Sequence, residues 1–240
     1  MPTRSKPAYR RAVLKLSGES MCEPGGQGIE PAAVASIARE IKASTDTGIE
    51  LAVVIGGGNI CRGAQLAKAG LQRAVCDHMG MLATVINALA LQDALEKLGL
   101  EVRVQTAVTM ADVAEPYIRR RCIAHLEYGK LCILAAGTGN PFFSTDTAAV
   151  LRAREIGAEI LFKGTKVDGV FDSDPVTNPD AKRFRTLTAR EALDRNLRVM
   201  DMTALTMAIE CGLPIHVFNA RRPGYIKRAA LGVKVGTLVT

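Results

Sequence analysis

At 240 residues, with 48% hydrophobic and 23% charged side chains, the chain is long enough to bury one large α/β core or two small ones, which excludes an intrinsically disordered segment. A net charge of +7 favours anionic partners, such as nucleotides, nucleic acid or an acidic surface, while 4% aromatic content without Trp argues against a base-stacking single-strand binder. The six cysteines, at 22, 61, 76, 122, 132 and 211, form no Cys-x-x-Cys pair and no zinc-ligand spacing with the three histidines, so they read as reduced thiols of a cytoplasmic protein and suggest no metal site.

Residues 1–8 carry basic side chains with no apolar h-region behind them, and no uninterrupted apolar run approaches membrane-spanning length. They predict a short flexible tail ahead of one domain over residues 9–240. Arg11 to Leu16 predicts a strand that is apolar except for Lys15 and leads at once into Ser17-Gly18-Glu19. A lysine there either lies on a sheet edge or is aimed at a phosphate. After a glycine-rich loop over residues 21–28, Pro31 opens a helix to about Thr47, with Val34, Ile37, Ala38 and Ile41 on one face.

Leu51 to Ile55 predicts a second buried strand, running into Gly56, Gly57, Gly58 and Asn59, with Arg62 just beyond. Successive glycines leave backbone amides free to line an anion site. From Arg73 to Leu98 runs a long helix whose stripe of Val75, Met79, Leu82, Ile86 and Leu89 marks either core or a subunit seam. Asp77 and His78 lie in its first turns, where a carboxylate either answers the helix dipole or accepts hydrogen bonds from a ligand.

Val102 to Thr106 reads as a short strand, and Glu115 to Glu127 as a helix carrying Arg119, Arg120 and Arg121, which form a solvated face, a regulatory anion site or a nucleic-acid contact. The apolar run Leu131 to Ala136 then enters Gly137-Thr-Gly-Asn-Pro-Phe-Phe-Ser-Thr-Asp146, followed by a helix from Thr147. Ligands of open α/β sheets bind at such turns, and Ser144, Thr145 and Asp146 stand at a helix start that favours an anion. Phe142 and Phe143 are covered either by core or by ligand.

Glu159 to Phe162 predicts a strand that gives way to a polar segment from Lys163 to Pro175. Beyond a loop over 176–185, the pattern predicts helices over 188–196 and 203–211, a strand from Pro214 to Phe218, a helix from Pro223 to Leu231 and an edge strand from Gly236 to Thr240. Strands alternating with helices imply a three-layer αβα sandwich with a largely parallel central sheet.

No Gly-x-x-x-x-Gly-Lys-Ser/Thr loop, Gly-x-Gly-x-x-Gly turn or Ser-His-Asp set is present. What remains is a set of glycine turns at strand ends joined by Lys15, Arg62, Lys163 and Lys166. That inventory fits phosphoryl transfer, where the protein positions two anions and neutralises charge on the moving group.

Lys15-Leu-Ser-Gly-Glu19, Val53-Val-Ile-Gly-Gly-Gly-Asn59 with Arg62-Gly63, Asp77-His-Met-Gly-Met81, Ala136-Gly-Thr-Gly-Asn-Pro-Phe-Phe143 and Thr165-Lys-Val-Asp-Gly-Val170 together resemble the bacterial UMP kinases (uridylate kinases) of the amino-acid-kinase superfamily. The resemblance runs from about Tyr9 to Thr240 in unbroken order. The glycine and lysine pieces are superfamily-wide, whereas Asp77-His-Met-Gly-Met81 and Gly137-Thr-Gly-Asn-Pro-Phe-Phe143 belong to the UMP branch.

The resemblance implies an amino-acid-kinase-like fold and the reaction ATP + UMP to ADP + UDP, with Mg²⁺, in pyrimidine nucleotide biosynthesis by a cytoplasmic homohexamer built as a trimer of dimers. It implies an acceptor-binding part over roughly 9–160 and an ATP-binding part over roughly 161–240. ATP would lie on Lys15, Leu16, Ser17, Gly18, Gly58, Arg62, Thr165, Phe171 and Asp174. UMP would lie on Gly57, Asp77, Thr138, Gly139, Asn140, Pro141, Phe142, Phe143, Ser144 and Thr145. Lys15 and Arg62 would stabilise the transferred group, with Asp146 orienting a lysine or the metal. GTP activation and UTP inhibition are implied too, although the loop Gly25-Gly26-Gln27-Gly28 departs from GTP-activated relatives, which carry an aromatic where Gln27 stands. The competing readings are a kinase acting on an amino-acid or carbamate carboxylate, a basic nucleic-acid-binding regulator and a catalytically silent nucleotide-binding subunit.

Overall fold

The computed structural model describes residues 6–197 and 199–240. In chain order the elements are β1 (Arg11–Leu16), α1 (Pro31–Thr45), β2 (Glu50–Ile55), α2 (Gly63–Lys68), α3 (Arg73–Glu96), β3 (Val102–Thr106), β4 (Glu115–Pro116), α4 (Arg119–Glu127), β5 (Leu131–Ala135), α5 (Thr145–Ile156), β6 (Ile160–Thr165), β7 (Thr186–Leu187), α6 (Ala189–Asp194), α7 (Met202–Cys211), β8 (Ile215–Asn219), α8 (Tyr225–Ala230) and β9 (Thr237–Val239), with a 3₁₀ turn over Gly18–Met21. The strands form one sheet in the order β4-β3-β5-β2-β1-β6-β8-β9-β7. Every pairing is parallel except β8 with β9.

The two faces of the sheet are covered separately, because alternate residues of a strand point to opposite sides. Ala12, Leu14 and Leu16 of β1 join Leu51, Val53 and Ile55 of β2 beneath α1, α3 and α8. Val13 joins Ala52, Val54, Leu134 and Leu161 beneath α4, α5, α6 and α7. Lys15 shares the parity of Val13, so strand geometry alone turns it toward the α5 layer. That layer begins with Ser144, whose hydroxyl oxygen accepts the Asp146 and Thr147 amides as the N-cap of α5.

Several elements differ from the expectations. The helix expected from Glu115 begins only at Arg119, and Glu115–Pro116 pairs as the outermost strand beside Gln105 and Thr106. Proline disfavours helical geometry in the residue before it, which keeps Glu115 extended. Strand β6 runs on through Lys163 to Thr165, so Lys163 is a buried strand residue and not the start of a loop. The C-terminal strand is not an edge: β9 lies between β8 and the two-residue β7. Of the tail expected over 1–8, residues 1–5 lie outside the described residues, and the Ala8 amide donates to the Ala230 carbonyl at 2.9 Å.

Helix α3 was open to two readings, and its stripe of Val75, Met79, Leu82, Ile86 and Leu89 proves to be exposed. The opposite side of the same helix, including Met81, Val85, Ala88, Leu91 and Leu95, packs into the core. By length and composition α3 would pass for a membrane span. Its inner face is instead packed against α1 and the sheet.

Candidate active site

Lys15 and Lys163 stand directly opposite one another on the adjacent strands β1 and β6. Like charges in that position repel. Asp146, in the first turn of α5, lies between them, with one carboxylate oxygen 2.6 Å from Lys15 Nζ and the other 2.5 Å from Lys163 Nζ. All three side chains are largely buried. Burial by itself would raise the Asp146 carboxyl, but the Lys15 and Lys163 ammoniums outweigh it and hold the group below its ordinary value. Burial also pushes the Lys163 ammonium down, against the pull of Asp146. The three groups carry two positive charges against one negative, with the Asp201 carboxylate adding its pull on Lys163.

The glycine turns close around this point. A Cβ on Gly18 would sit 2.4 Å from Asn59 Oδ1 and 2.6 Å from the Gly56 carbonyl, so the β1 and β2 turns can lie this close only without a side chain there. A Cβ on Gly57 would stand 2.7 Å from that of Ala83, which presses the second turn onto α3. Asn59 and Asn87 are both buried and exchange amide hydrogen bonds of 3.0 and 2.7 Å. Asn87 Nδ2 also donates to the Gly56 carbonyl at 2.8 Å, and Asn59 Nδ2 to that of Gly28 at 2.6 Å.

Arg62 extends from the β2 turn, donating from Nε to the Gly58 carbonyl at 3.3 Å and ion-pairing with Glu19 at 2.8 Å. Glu19 also ion-pairs with Lys166, and its backbone carbonyl accepts from Arg221. A hydrogen bond from Lys166, with charge from Lys166, Arg62 and Arg221, holds the Glu19 carboxyl below its ordinary value against partial burial. Thus Glu19 gathers cations from three separate loops at the lip of the cleft.

Between the β2 turn, the start of α3 and the loop before α5 lies a cavity of about 190 Å³. Gly57, Gly58, Asp77, Thr138, Asn140, Phe143, Ser144 and Thr145 line it, which brings together much of the set expected for UMP. Gly139 instead abuts Ala107, and Phe142 is 69% exposed. Asp77 Oδ2 accepts the Phe142 amide at 2.8 Å, and the carboxylate pairs with Arg73 at 2.9 Å. A second cavity, of about 420 Å³, is lined by Phe171 and Asp174 together with Val170, Pro175 and Leu197. Thr165 donates its hydroxyl to Val167 and Phe218 carbonyls near the end of β6. The Leu16 side chain is core, so this residue has only its backbone to offer a ligand.

Glu19, Arg73, Asn87 and Asp201 have no role assigned from sequence, and Lys163 enters there only as one of the cations that fit phosphoryl transfer. The signal for Lys163 was present, as a second lysine interrupting an apolar run. Asp201 caps α7 through the Ala204 amide and accepts the Ser144 and Thr147 hydroxyls, tying α7 to the start of α5. Arg119, first of the arginine run, donates to the Glu155 carbonyl, while Arg120 and Arg121 are exposed.

A model of the amino acid kinase family matches residues 10–219. The UMP kinase from Bacillus anthracis is 41% identical, with a TM-score of 0.93 over 97% of this chain and 96% of that one. The UMP kinase from Ureaplasma parvum is 34% identical, with a TM-score of 0.90 over 96% and 98%. At 23% identity the uridylate kinase from Archaeoglobus fulgidus shares the fold, with a TM-score of 0.74 over 95% and 99%. Matched over nearly its whole length, and carrying its lysines, carboxylate and glycine turns at one cleft, the chain belongs to the amino acid kinase family and, within it, to the UMP kinases.

Proposed function

We propose that the chain transfers the γ-phosphoryl group of ATP to the phosphate of UMP, releasing ADP and UDP, as a step of cytoplasmic pyrimidine nucleotide synthesis. The observation that carries this reading is the Lys15–Asp146–Lys163 cluster at the end of adjacent strands, beside the glycine turns. ATP takes Lys15 to Gly18, Gly58 and Arg62 with its phosphates, and Thr165, Phe171 and Asp174 with its adenosine. UMP takes the cavity from Gly57 and Asp77 to Thr138–Thr145. The acceptor part thus falls within residues 9–160 and the adenosine part of the donor site within 161–240, whereas the triphosphate residues Lys15 to Gly18, Gly58 and Arg62 cross that division.

As the phosphoryl group moves, Lys15 and Arg62 stabilise its charge, and Asp146 keeps Lys15 and Lys163 in place with no rearrangement at the moment of transfer. Mg²⁺ would enter this site as a companion of ATP held on its phosphates, since both Asp146 oxygens already face ammoniums. When bound, it neutralises phosphate charge.

A coupled assay with ATP and, in turn, UMP, CMP, dUMP and an amino-acid acceptor tests the assignment. Turnover of UMP well above the others is expected, and turnover of the amino acid alone would overturn it. Repeating the assay with GTP or UTP added reads both as effectors. Asp77→Asn should raise the apparent KM for UMP more than that for ATP, and equal changes would count against an acceptor role.

The exposed face of α3 supports assembly from copies of the chain, which we place in a trimer of dimers. Leu82 and Ile86, 50% and 48% exposed, are the centre of a contiguous apolar stripe of the kind that a partner covers. Leu82→Glu should shift the sedimentation profile toward smaller species. An unchanged profile would move the contact elsewhere.

A further inference from the structure

Helix α3 reaches both glycine loops through buried polar side chains one turn apart. Thr84 Oγ1 accepts the Ala136 amide at 2.7 Å while donating to the Met81 carbonyl at 2.7 Å. Asn87, on the next turn, holds the Gly56 carbonyl at 2.8 Å. Both residues are buried. Ala136, the residue after β5, has φ of 59°, in the left-handed region that L residues seldom occupy, and Gly137 follows at 58°. A strained residue persists only where its surroundings over-determine it. Here the Thr84 hydroxyl supplies the buried partner of the strained residue's own N–H.

We propose that Thr84 is a positioning residue for phosphoryl transfer. By holding Ala136 in the left-handed conformation it sets the path of the Gly137–Ser144 loop against the Gly56–Gly58 loop, which Asn87 anchors to the same helix. α3 therefore fixes the separation between the acceptor loop and the glycine turn. The inference rests on the kinase reading given above. Ordinary core packing would require only the size and apolar surface of the side chain at 84, whereas positioning requires its hydroxyl.

Thr84→Val keeps the shape and removes the oxygen; Thr84→Ser keeps the oxygen. Amide hydrogen exchange, measured without nucleotide, should be about tenfold faster across Ala136–Ser144 in Thr84→Val than in the parent, and near the parent rate in Thr84→Ser. The apparent KM for UMP should rise about tenfold in Thr84→Val while that for ATP stays within about twofold. Parent-like exchange and KM in Thr84→Val would overturn the proposal, as would equal changes in both variants. If Thr84→Val does not fold, Thr84→Ala makes the same comparison without the added methyl group. A parent enzyme that fails to phosphorylate UMP would refute the kinase reading, and the exchange comparison would still decide the role of Thr84.

Discussion

Lys15→Met should lower kcat about 10²-fold or more, the scale associated with removing one preorganised charge stabiliser, while leaving the fold intact. The fold survives because of how the charges are counted. Lys15 and Lys163 share the single carboxylate of Asp146, so losing one ammonium leaves a balanced pair and not an orphaned ion. A methionine of similar length fills the space at low cost. Initial rates at saturating UMP and ATP, with circular dichroism to confirm folding, are the measurements required. Parent-level kcat would remove Lys15 from the chemistry.

Asp146→Asn removes the opposite charge and should be costly to stability as well as to turnover. Two largely buried ammoniums then face each other across adjacent strands without the carboxylate that bridged them. Breaking a buried ion pair from one side costs about 3–5 kcal/mol, which for a chain of this size lowers Tm by roughly 10 °C. The pH dependence identifies the cause. In the parent the Asp146 carboxyl lies below its ordinary 3.8, so as pH falls through 3.8 the unfolded chain takes up the proton first and stability declines until the folded value is passed. Lys163 already lies below its ordinary 10.5 in the parent, and Asp146→Asn removes the largest pull that opposes burial there, so the unfolded chain's excess of bound protons grows and stability rises more steeply with pH toward 10.5 than in the parent. A thermal melt equal to the parent at neutral pH would show that the three groups are not energetically linked.

The parts of this site that could be read from the sequence are local ones. Lys15 with Ser17 and Gly18, the Gly56–Gly58 turn with Arg62, and the residues from Gly137 to Asp146 each announce themselves within ten residues, since cations and glycines at the end of an apolar run have few other uses. The pairing of Lys15 with Lys163 was not legible, because it depends on register between strands nearly 150 residues apart in the chain. Asn87 was hidden for another reason. It sits in a helix that is apolar on almost every side, so periodicity could not tell the face that meets the core from the face that meets solvent. Phe142 and Phe143 read as covered by core or ligand, yet both are exposed, and of the two only Phe143 lines the cavity, while Phe142 has φ of 72°. The late start of α4 was signalled by Pro116, which tertiary pairing with Thr106 turned into a strand end.

The central position of β1, between β2 and β6, bears on how the enzyme is made. Lys15 leaves the ribosome early, whereas its cross-strand neighbour Lys163 is translated much later. A nascent chain therefore carries half of the lysine cluster through most of its synthesis and can complete it only after β6 has emerged. Completion of the cluster is a late event in translation, and no amino-terminal fragment ending before residue 163 contains it.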